Sequence, residues 1–175
     1  MKKALYFSLL LALFCLPAMA QGGANFSGKW TLDASRSKLD ERMRIESITL
    51  NVTQTDSQLT VETVTKRSAD AGGGRGMMGG MGNGTQTYSL DGKETRSEIE
   101  GPMGKIPVVS KAQIDSTGTL KITTTRTFNG PMGEMTITTT ETWQLSDGGK
   151  TLTIKRETTG GRGNSSTTLV FNAAS

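Results

Sequence analysis

The sequence predicts an all-β fold, a single up-and-down antiparallel meander barrel of about 8–10 strands with at most one short helix after the first strand. Apolar and polar residues alternate over many short stretches, with the two-residue period of half-buried strands. Glycine, asparagine and aspartate interrupt these stretches at short intervals, which favours hairpin connections over long crossovers. The chain is also rich in threonine and glycine and has 5% aromatic residues, a composition that suits strands and turns.

The N-terminal residues 1–20 have the features of a cleaved secretory signal peptide. Lys2 and Lys3 form a basic start, residues 4–16 are an apolar run, and Ala-Met-Ala at 18–20 matches a signal-peptidase site. The apolar run is too short for a typical membrane span. We therefore expect the mature protein to be periplasmic or extracellular, without an integral membrane segment.

The mature residues, 21–175, are predicted to form one barrel domain, because about 150 residues suffice to bury a core. Cys15 is the only cysteine and is lost with the signal peptide, so packing rather than disulfides must stabilise the domain. Removing Lys2 and Lys3 leaves 18 basic against 16 acidic residues. Since the basic residues are spread along the chain, we do not expect a nucleic-acid partner.

The first strand is predicted at residues 26–32, where apolar or small residues alternate with others. Gly28 and Trp30 form a Gly-x-Trp motif on this strand. In this motif, and in the run of meandering strands after it, the chain resembles the calycin superfamily, which comprises lipocalins and fatty-acid-binding proteins. The resemblance implies a β-barrel with an internal ligand chamber.

A second similarity lies near the end of the chain. Residues 153–156 read Thr-Ile-Lys-Arg and resemble a stretch of fatty-acid-binding proteins whose arginine points inward, which would be Arg156 here. That family also grips a fatty carboxylate with an Arg-x-Tyr pair, but Leu169 and Phe171 stand at the matching positions. The resemblance therefore implies a ligand chamber without implying a fatty acid.

Two segments are not predicted as strands. Residues 35–44 lack alternation, and Ser37 followed by Asp40 resembles a helix N-terminal box, so a short helix or a coil is expected. Residues 69–84 are a low-complexity run rich in glycine and methionine, which we expect to be a flexible loop.

The other strands are predicted in pairs around turns. Val64 breaks its strand's alternation and predicts a β-bulge. Asp91-Gly92 is a signal for a type I′ hairpin. The predicted pairs are 48–52 with 59–63, 86–90 with 93–100, 108–114 with 120–128, and 135–145 with 152–156, followed by a last strand at 167–171.

The hairpin at 135–159 fixes its own register. Gly148-Gly149 supplies the two positive-φ positions of a tight turn. Closing the turn there places Glu141 opposite Arg156 on the inward face. The same register pairs Trp143 with Ile154 and Leu145 with Leu152.

Alternating connections give the barrel one end with tight turns and one with longer loops. The tight turns are at Asp56, Asp91-Gly92, Thr117-Gly118 and Gly148-Gly149. The longer loops are expected at 35–44, 69–84, 101–105, 129–133 and 160–165. We expect a ligand chamber to open at the long-loop end.

The inward residues predict an apolar floor beneath a polar chamber. The floor residues are Ile114, Leu120, Ile122, Trp143, Leu145, Leu152 and Ile154. The candidate ligand-binding residues are Ser110, Thr124, Arg126, Thr139, Glu141 and Arg156, together with Tyr88. Because Glu141 can neutralise only one of the two arginines, one inward positive charge remains for a carboxylate, a phosphate or water. The alternative is that these side chains form a structural ion pair or reach solvent at the rim.

A metal site is the competing hypothesis. Met77, Met78, Met81, Met103 and Met132 all fall on predicted long-loop segments. Thioethers suit Cu(I) or Ag(I), although methionine is also an adaptable apolar filler for a lid.

An enzyme is not expected, and neither is a cofactor. The chain has no histidine, no mature cysteine and no nucleophile-elbow, phosphate-loop or dinucleotide motif. The predicted function is therefore a barrel that binds a small amphiphilic or hydrophobic ligand; the alternatives are the metal site and an interaction barrel without a small ligand. The oligomeric state is not predicted.

Overall fold

The computed structural model describes residues 23–39, 45–68, 83–101, 104–130, 133–160 and 163–174. The described strands are numbered β1–β10 in chain order. Their bounds are Gly28–Leu32, Ile45–Gln54, Gln58–Arg67, Gly84–Ser89, Asp91–Gly101, Gly104–Ile114, Leu120–Gly130, Gly133–Ser146, Thr151–Gly160 and Ser165–Ala173. The predicted signal peptide and most of the Gly/Met-rich segment 69–84 lie outside the described residues.

These strands form one antiparallel sheet in the order β4-β3-β2-β1-β10-β9-β8-β7-β6-β5, which is nearly closed into a barrel. The pairing of β1 with β10 brings the two ends of the chain together and closes most of the circumference. The predicted all-β, up-and-down meander barrel is confirmed. In the described part of the chain, no helix is long and apolar enough to span a membrane.

The edge strands β4 and β5 meet at a junction that we call the seam. They contact each other, and β4 also contacts β6, but no ladder between β4 and β5 joins the described residues. The predicted type I′ hairpin at Asp91-Gly92 is therefore wrong. Leu90 donates its N–H to Ser57 O on one side of the seam, whereas Asp91 pairs with Gln113 of β6 on the other. The dipeptide crosses the seam because its two flanks are held by different neighbours.

The hairpin between β8 and β9 has the predicted register. Glu141 lies opposite Arg156, Trp143 opposite Ile154 and Leu145 opposite Leu152. Gly148 and Gly149 have φ values of 65° and 83°, in a short 3₁₀ turn that begins at Asp147. The two glycines thus adopt the left-handed backbone that the turn requires.

The hairpin between β2 and β3 differs from the prediction in two ways. Thr63 pairs with Leu50, so residues 59–63 lie opposite 50–54. The prediction placed them opposite 48–52, which is two residues earlier on β2. The predicted bulge at Val64 is wrong, because Val64 pairs regularly with Thr49 and the irregularity lies between Ile45 and Ser47. Val64 is an outward-facing valine that is 39% exposed.

Two connections predicted as longer loops, at 101–105 and 129–133, are shorter than expected. The β5–β6 pairing continues to Gly101 opposite Gly104, and the β7–β8 pairing continues to Gly130 opposite Gly133. Each turn therefore has only two residues between its paired glycines. The end of the barrel opposite the floor is built partly from these tight hairpins.

The floor of the barrel is closed by the chain just before β1. Phe26 is fully buried and packs edge-to-face on Trp143, with ring centroids 6.0 Å apart. Trp30 Nε1 donates to Phe26 O at 3.0 Å, and Gln54 links both sides of this segment by accepting from Phe26 N and donating to Ala24 O. The other fully buried side chains at this end include Leu59, Leu120, Leu152 and Phe171.

The described part of segment 35–44 is a turn and a bridge rather than a helix. Ser37 Oγ donates to Asp33 O, and Val170 N donates to Ser37 Oγ at 2.9 Å. Lys38 forms an isolated bridge with Thr168. Ser37 therefore anchors the segment to β10 instead of capping a helix, while Asp40 lies outside the described residues.

Candidate functional site

The registers of β6–β9 align the inward side chains in three rows across the strands. The upper row is Val108, Arg126, Ile137 and Gly160; the middle row is Ser110, Thr124, Thr139 and Thr158; the lower row is Ala112, Ile122, Glu141 and Arg156. Successive rows are two residues, or about 7 Å, apart along a strand. The floor lies below the lower row.

The lower row holds a satisfied ion pair. Arg156 Nε donates to Glu141 Oε1 at 2.9 Å, and Arg156 Nη2 donates to the same oxygen. Trp143 Nε1 donates to the other carboxylate oxygen at 2.9 Å. The two charged side chains are only 12% and 13% exposed, so both oxygens of Glu141 are used inside the barrel. This pair is the structural ion pair that the sequence left as an alternative.

The middle row is a band of hydroxyl groups. Ser110, Thr124 and Thr139 are buried, and Thr139 Oγ1 lies 3.4 Å from Thr158 Oγ1. Hydroxyls both donate and accept hydrogen bonds, so the band can bind either a donor or an acceptor group of a ligand.

Arg126 in the upper row has no such partner among the described residues. It is 5% exposed, and its Nε is buried without a hydrogen-bond partner in the described part of the chain. Its cross-strand neighbours are Val108 and Ile137, which carry no acceptor in their side chains. Glu141 lies two rows below, opposite Ile122, so the register gives the carboxylate to Arg156 rather than to Arg126.

The electrostatics of the site follow from this burial. Loss of solvent lowers the pKa of Arg126 and the nearby charge of Arg156 acts in the same direction, while Tyr88 and Glu141 oppose this shift. A buried cation without a carboxylate is unfavourable, which is why such groups normally bind an anion or a hydrogen-bond acceptor. Arg126 therefore has the properties of an anion-binding group.

Tyr88 reaches the same space from β4, at the opposite edge of the sheet. Burial raises its pKa above the usual range, and the negative charge of Glu141 adds to the effect, while Arg126 and Arg156 oppose it. The phenol donates to Gln86 Oε1 and also interacts with Thr124. The phenol stays neutral and leaves the positive charge of Arg126 uncompensated.

All seven predicted ligand-binding residues face the interior, six of them in the three rows and Tyr88 from β4, but they divide into groups. Glu141 and Arg156 satisfy each other, whereas Arg126 and Tyr88 lie near one another across the interior. The sequence analysis missed Thr158 and Gln86. Alternation from Arg156 already places Thr158 inward, and that signal would have found it. The role of the seven predicted residues in binding a ligand stays a prediction.

The methionine hypothesis stays a prediction as well. Met77, Met78, Met81, Met103 and Met132 lie outside the described residues. Within the described ranges, no group of three Asp or Glu side chains is placed to hold a metal ion, but this does not test thioether ligands.

Comparison with known proteins adds a structural likeness. No protein-family model and no curated protein matches the sequence. The fold is similar to the crystal structure of zebrafish ileal bile acid-binding protein complexed with cholic acid, with a TM-score of 0.50, 16% sequence identity, and coverage of 85% of this chain and 98% of that one. The predicted resemblance to the calycin superfamily is thus confirmed at the level of the fold.

Proposed function

We propose that this barrel binds a small anionic amphiphile, with the acid group of the ligand at Arg126 and its apolar part along the neighbouring apolar side chains of the barrel wall. The observation that carries the proposal is the buried guanidinium of Arg126, whose Nε has no hydrogen-bond partner among the described residues. A carboxylate or phosphate would supply the missing acceptor and neutralise the charge. The hydroxyls of Thr124 and Tyr88 are close enough to this space to orient the same group.

The charge balance supports a ligand with one negative charge. Arg156 is neutralised by Glu141, so Arg126 contributes the one uncompensated positive charge among these three groups. The described floor residues around Phe26 and Trp143 are apolar and closely packed, so the charge of Arg126 lies above a packed core. The similar zebrafish bile acid-binding protein was crystallised in complex with cholic acid.

We further propose that the barrel acts in the periplasm or outside the cell. The basic Lys2 and Lys3, the apolar run 4–16 and the Ala-Met-Ala at 18–20 support this location. N-terminal sequencing of the secreted protein tests it, because cleavage after Ala20 would make Gln21 the first residue.

The ligand proposal is tested with two probes that share a tail and differ in the head group. Dodecanoate should bind the mature protein saturably, whereas dodecan-1-ol should bind at least about tenfold more weakly, since charge-assisted hydrogen bonds contribute about 1.5–3 kcal/mol. Isothermal titration calorimetry measures both affinities. Arg126→Met should remove this preference for the acid.

The matched control is Arg96→Met, which removes an exposed arginine from the outer face of β5. Arg96→Met should leave the preference unchanged, so loss in both variants would point to general charge rather than to a site. A wild-type protein that binds neither probe, and whose melting temperature neither probe raises, would favour an interaction barrel without a small ligand.

A further inference from the structure

The end of the β6–β7 ladder bears on how a ligand would reach Arg126, and an inference from it rests on the proposed function. The ladder between β6 and β7 ends at Val108 opposite Arg126, although β6 begins earlier, at Gly104, and β7 continues to Gly130. The described ladder therefore ends directly above Arg126, and we call this end the split. Pro107, the next residue of β6 beyond the end of the ladder, has no N–H to donate.

The split separates two hairpin ends that we call the arms. The first arm comprises residues 98–101 and 104–107, and the second comprises residues 127–130 and 133–136. Pairing inside each arm continues to its terminal glycines. The second arm also has no strand partner on its other side among the described residues, because the β8–β9 ladder begins only at Ile137. Two-stranded ribbons are marginally stable alone, so the arms can move apart at small cost.

The inner sides of the arms are apolar and half-buried. Ile99 lies opposite Ile106 in the first arm, and Phe128 lies opposite Met135 in the second. Phe128 follows Arg126 by two residues on the same face, so the apolar surface is continuous with the anion-binding position.

The arms carry a net negative charge, whereas Arg126 inside the barrel is positive. The described arm residues include Glu98, Glu100 and Glu134 against Lys105, so the arms carry more negative than positive charge. An anionic head group is repelled from the arms and attracted to Arg126 inside. An amphiphile is therefore oriented with its head inward and its tail between the arms.

We propose that the split between the arms is the ligand entrance and that the tail of a bound anionic amphiphile lies between Ile99, Ile106, Phe128 and Met135. The tail leaves the barrel sideways through the wall, between two neighbouring strands. The entrance is thus distinct from the seam, where β4 and β5 meet.

A reversible crosslink across the split tests the entrance. Continuing the register beyond Val108 and Arg126 would bring Pro107 opposite Thr127, so the double variant Pro107→Cys/Thr127→Cys can lock the arms when oxidised. The mature chain has no other cysteine. Oxidation should slow the association of dodecanoate at least about tenfold in stopped-flow measurements, and reduction should restore it, because entry requires the arms to separate.

The matched control places the same crosslink where the ladder is already intact. Val109 lies opposite Thr125 one position below the split, so Val109→Cys/Thr125→Cys should leave the association rate unchanged. Equal rates for the oxidised and reduced Pro107→Cys/Thr127→Cys protein would overturn the entrance while leaving the binding function intact. Absence of dodecanoate binding to the wild-type protein would overturn both proposals.

A second variant tests the tail position without a crosslink. Phe128→Ser should weaken dodecanoate binding about fivefold or more and leave butanoate binding unchanged, because the variant removes apolar surface that the long tail buries and the short acid does not reach the arm. Val64→Ser, at an exposed valine on β3, is the control. Loss of both ligands, or of neither, would overturn the proposed tail position.

Discussion

The floor and the upper row belong to the same sheet, yet they differ in whether their buried polar groups have hydrogen-bond partners. At the floor, Phe26 is fully buried, its N–H and C=O are both hydrogen-bonded, and its ring meets Trp143. In the upper row, Arg126 is buried, its Nε has no hydrogen-bond partner in the part of the chain that the structure describes, and the ladder beside it ends. The floor therefore stabilises the fold, whereas the burial of Arg126 in the upper row destabilises it. A ligand that accepts a hydrogen bond from Arg126 would offset this cost.

The largest expected effect comes from the floor. Phe26→Ala should lower the free energy of unfolding by about 3–5 kcal/mol, because it leaves a cavity against Trp143. Urea denaturation followed by the fluorescence of the two tryptophans measures the loss. Phe128→Ala makes the same change on a half-buried arm and should cost clearly less. Equal losses would mean that the arms are as closely packed as the floor.

The ion pair in the lower row should have the next largest effect. Glu141→Leu leaves Arg156 without its carboxylate and Trp143 Nε1 without its acceptor, and should destabilise the protein by about 3 kcal/mol. The double variant Glu141→Leu/Arg156→Met should recover much of that loss, because removing both charges avoids an unpaired one. A double variant no more stable than the single one would show that the pair does not act as a unit.

A smaller effect of opposite sign is expected in the upper row. Arg126→Met keeps most of the side-chain volume and removes a buried guanidinium whose Nε has no hydrogen-bond partner among the described residues, so it should stabilise the ligand-free protein by about 1–2 kcal/mol. Thermal and urea unfolding without ligand measure the change. Destabilisation by this variant would contradict the view that Arg126 is unfavourable in the empty barrel.

Tyr88 should have the smallest effect on stability at neutral pH. The effect of its raised pKa becomes measurable only at alkaline pH. Its pKa is raised by burial, so the neutral phenol is favoured in the folded state. This contribution is complete below the unfolded-state pKa of about 10 and is lost as the pH rises toward the higher folded-state pKa. The sequence has two tyrosines, Tyr6 and Tyr88, and only Tyr88 lies within 21–175. Absorbance near 295 nm should therefore show delayed phenol ionisation that is absent in Tyr88→Phe, and ionisation at the usual pH would contradict the buried placement.

The sequence predicted the parts of the fold that local chemistry decides. Gly148-Gly149 fixed one turn, and the two-residue period then placed Glu141 opposite Arg156. The excess of inward positive charge followed from the same counting, although its assignment to Arg126 required the registers of three ladders. The apolar floor was also predicted, but not its closure by the segment around Phe26.

The errors occurred where a local signal competes with distant partners. Asp91-Gly92 has the composition of a tight hairpin, yet the chain crosses the seam there because Leu90 bonds to the β2–β3 turn and Asp91 pairs with β6. Val64 looked like a bulge because a solitary outward apolar residue and a register irregularity have the same sequence pattern. The split above Arg126 could not be seen at all, since the end of a ladder depends on both strands.

The junction of β1 with β10 determines where the barrel can be attached to other structures. Ala24 lies against the turn at Gly118, and Ala174 donates its N–H to Lys29 O, so the described chain both enters and leaves at the floor. A linker or an affinity tag joined at either side would extend away from the arms. The protein can therefore be immobilised or fused through these positions while its opposite end faces solution.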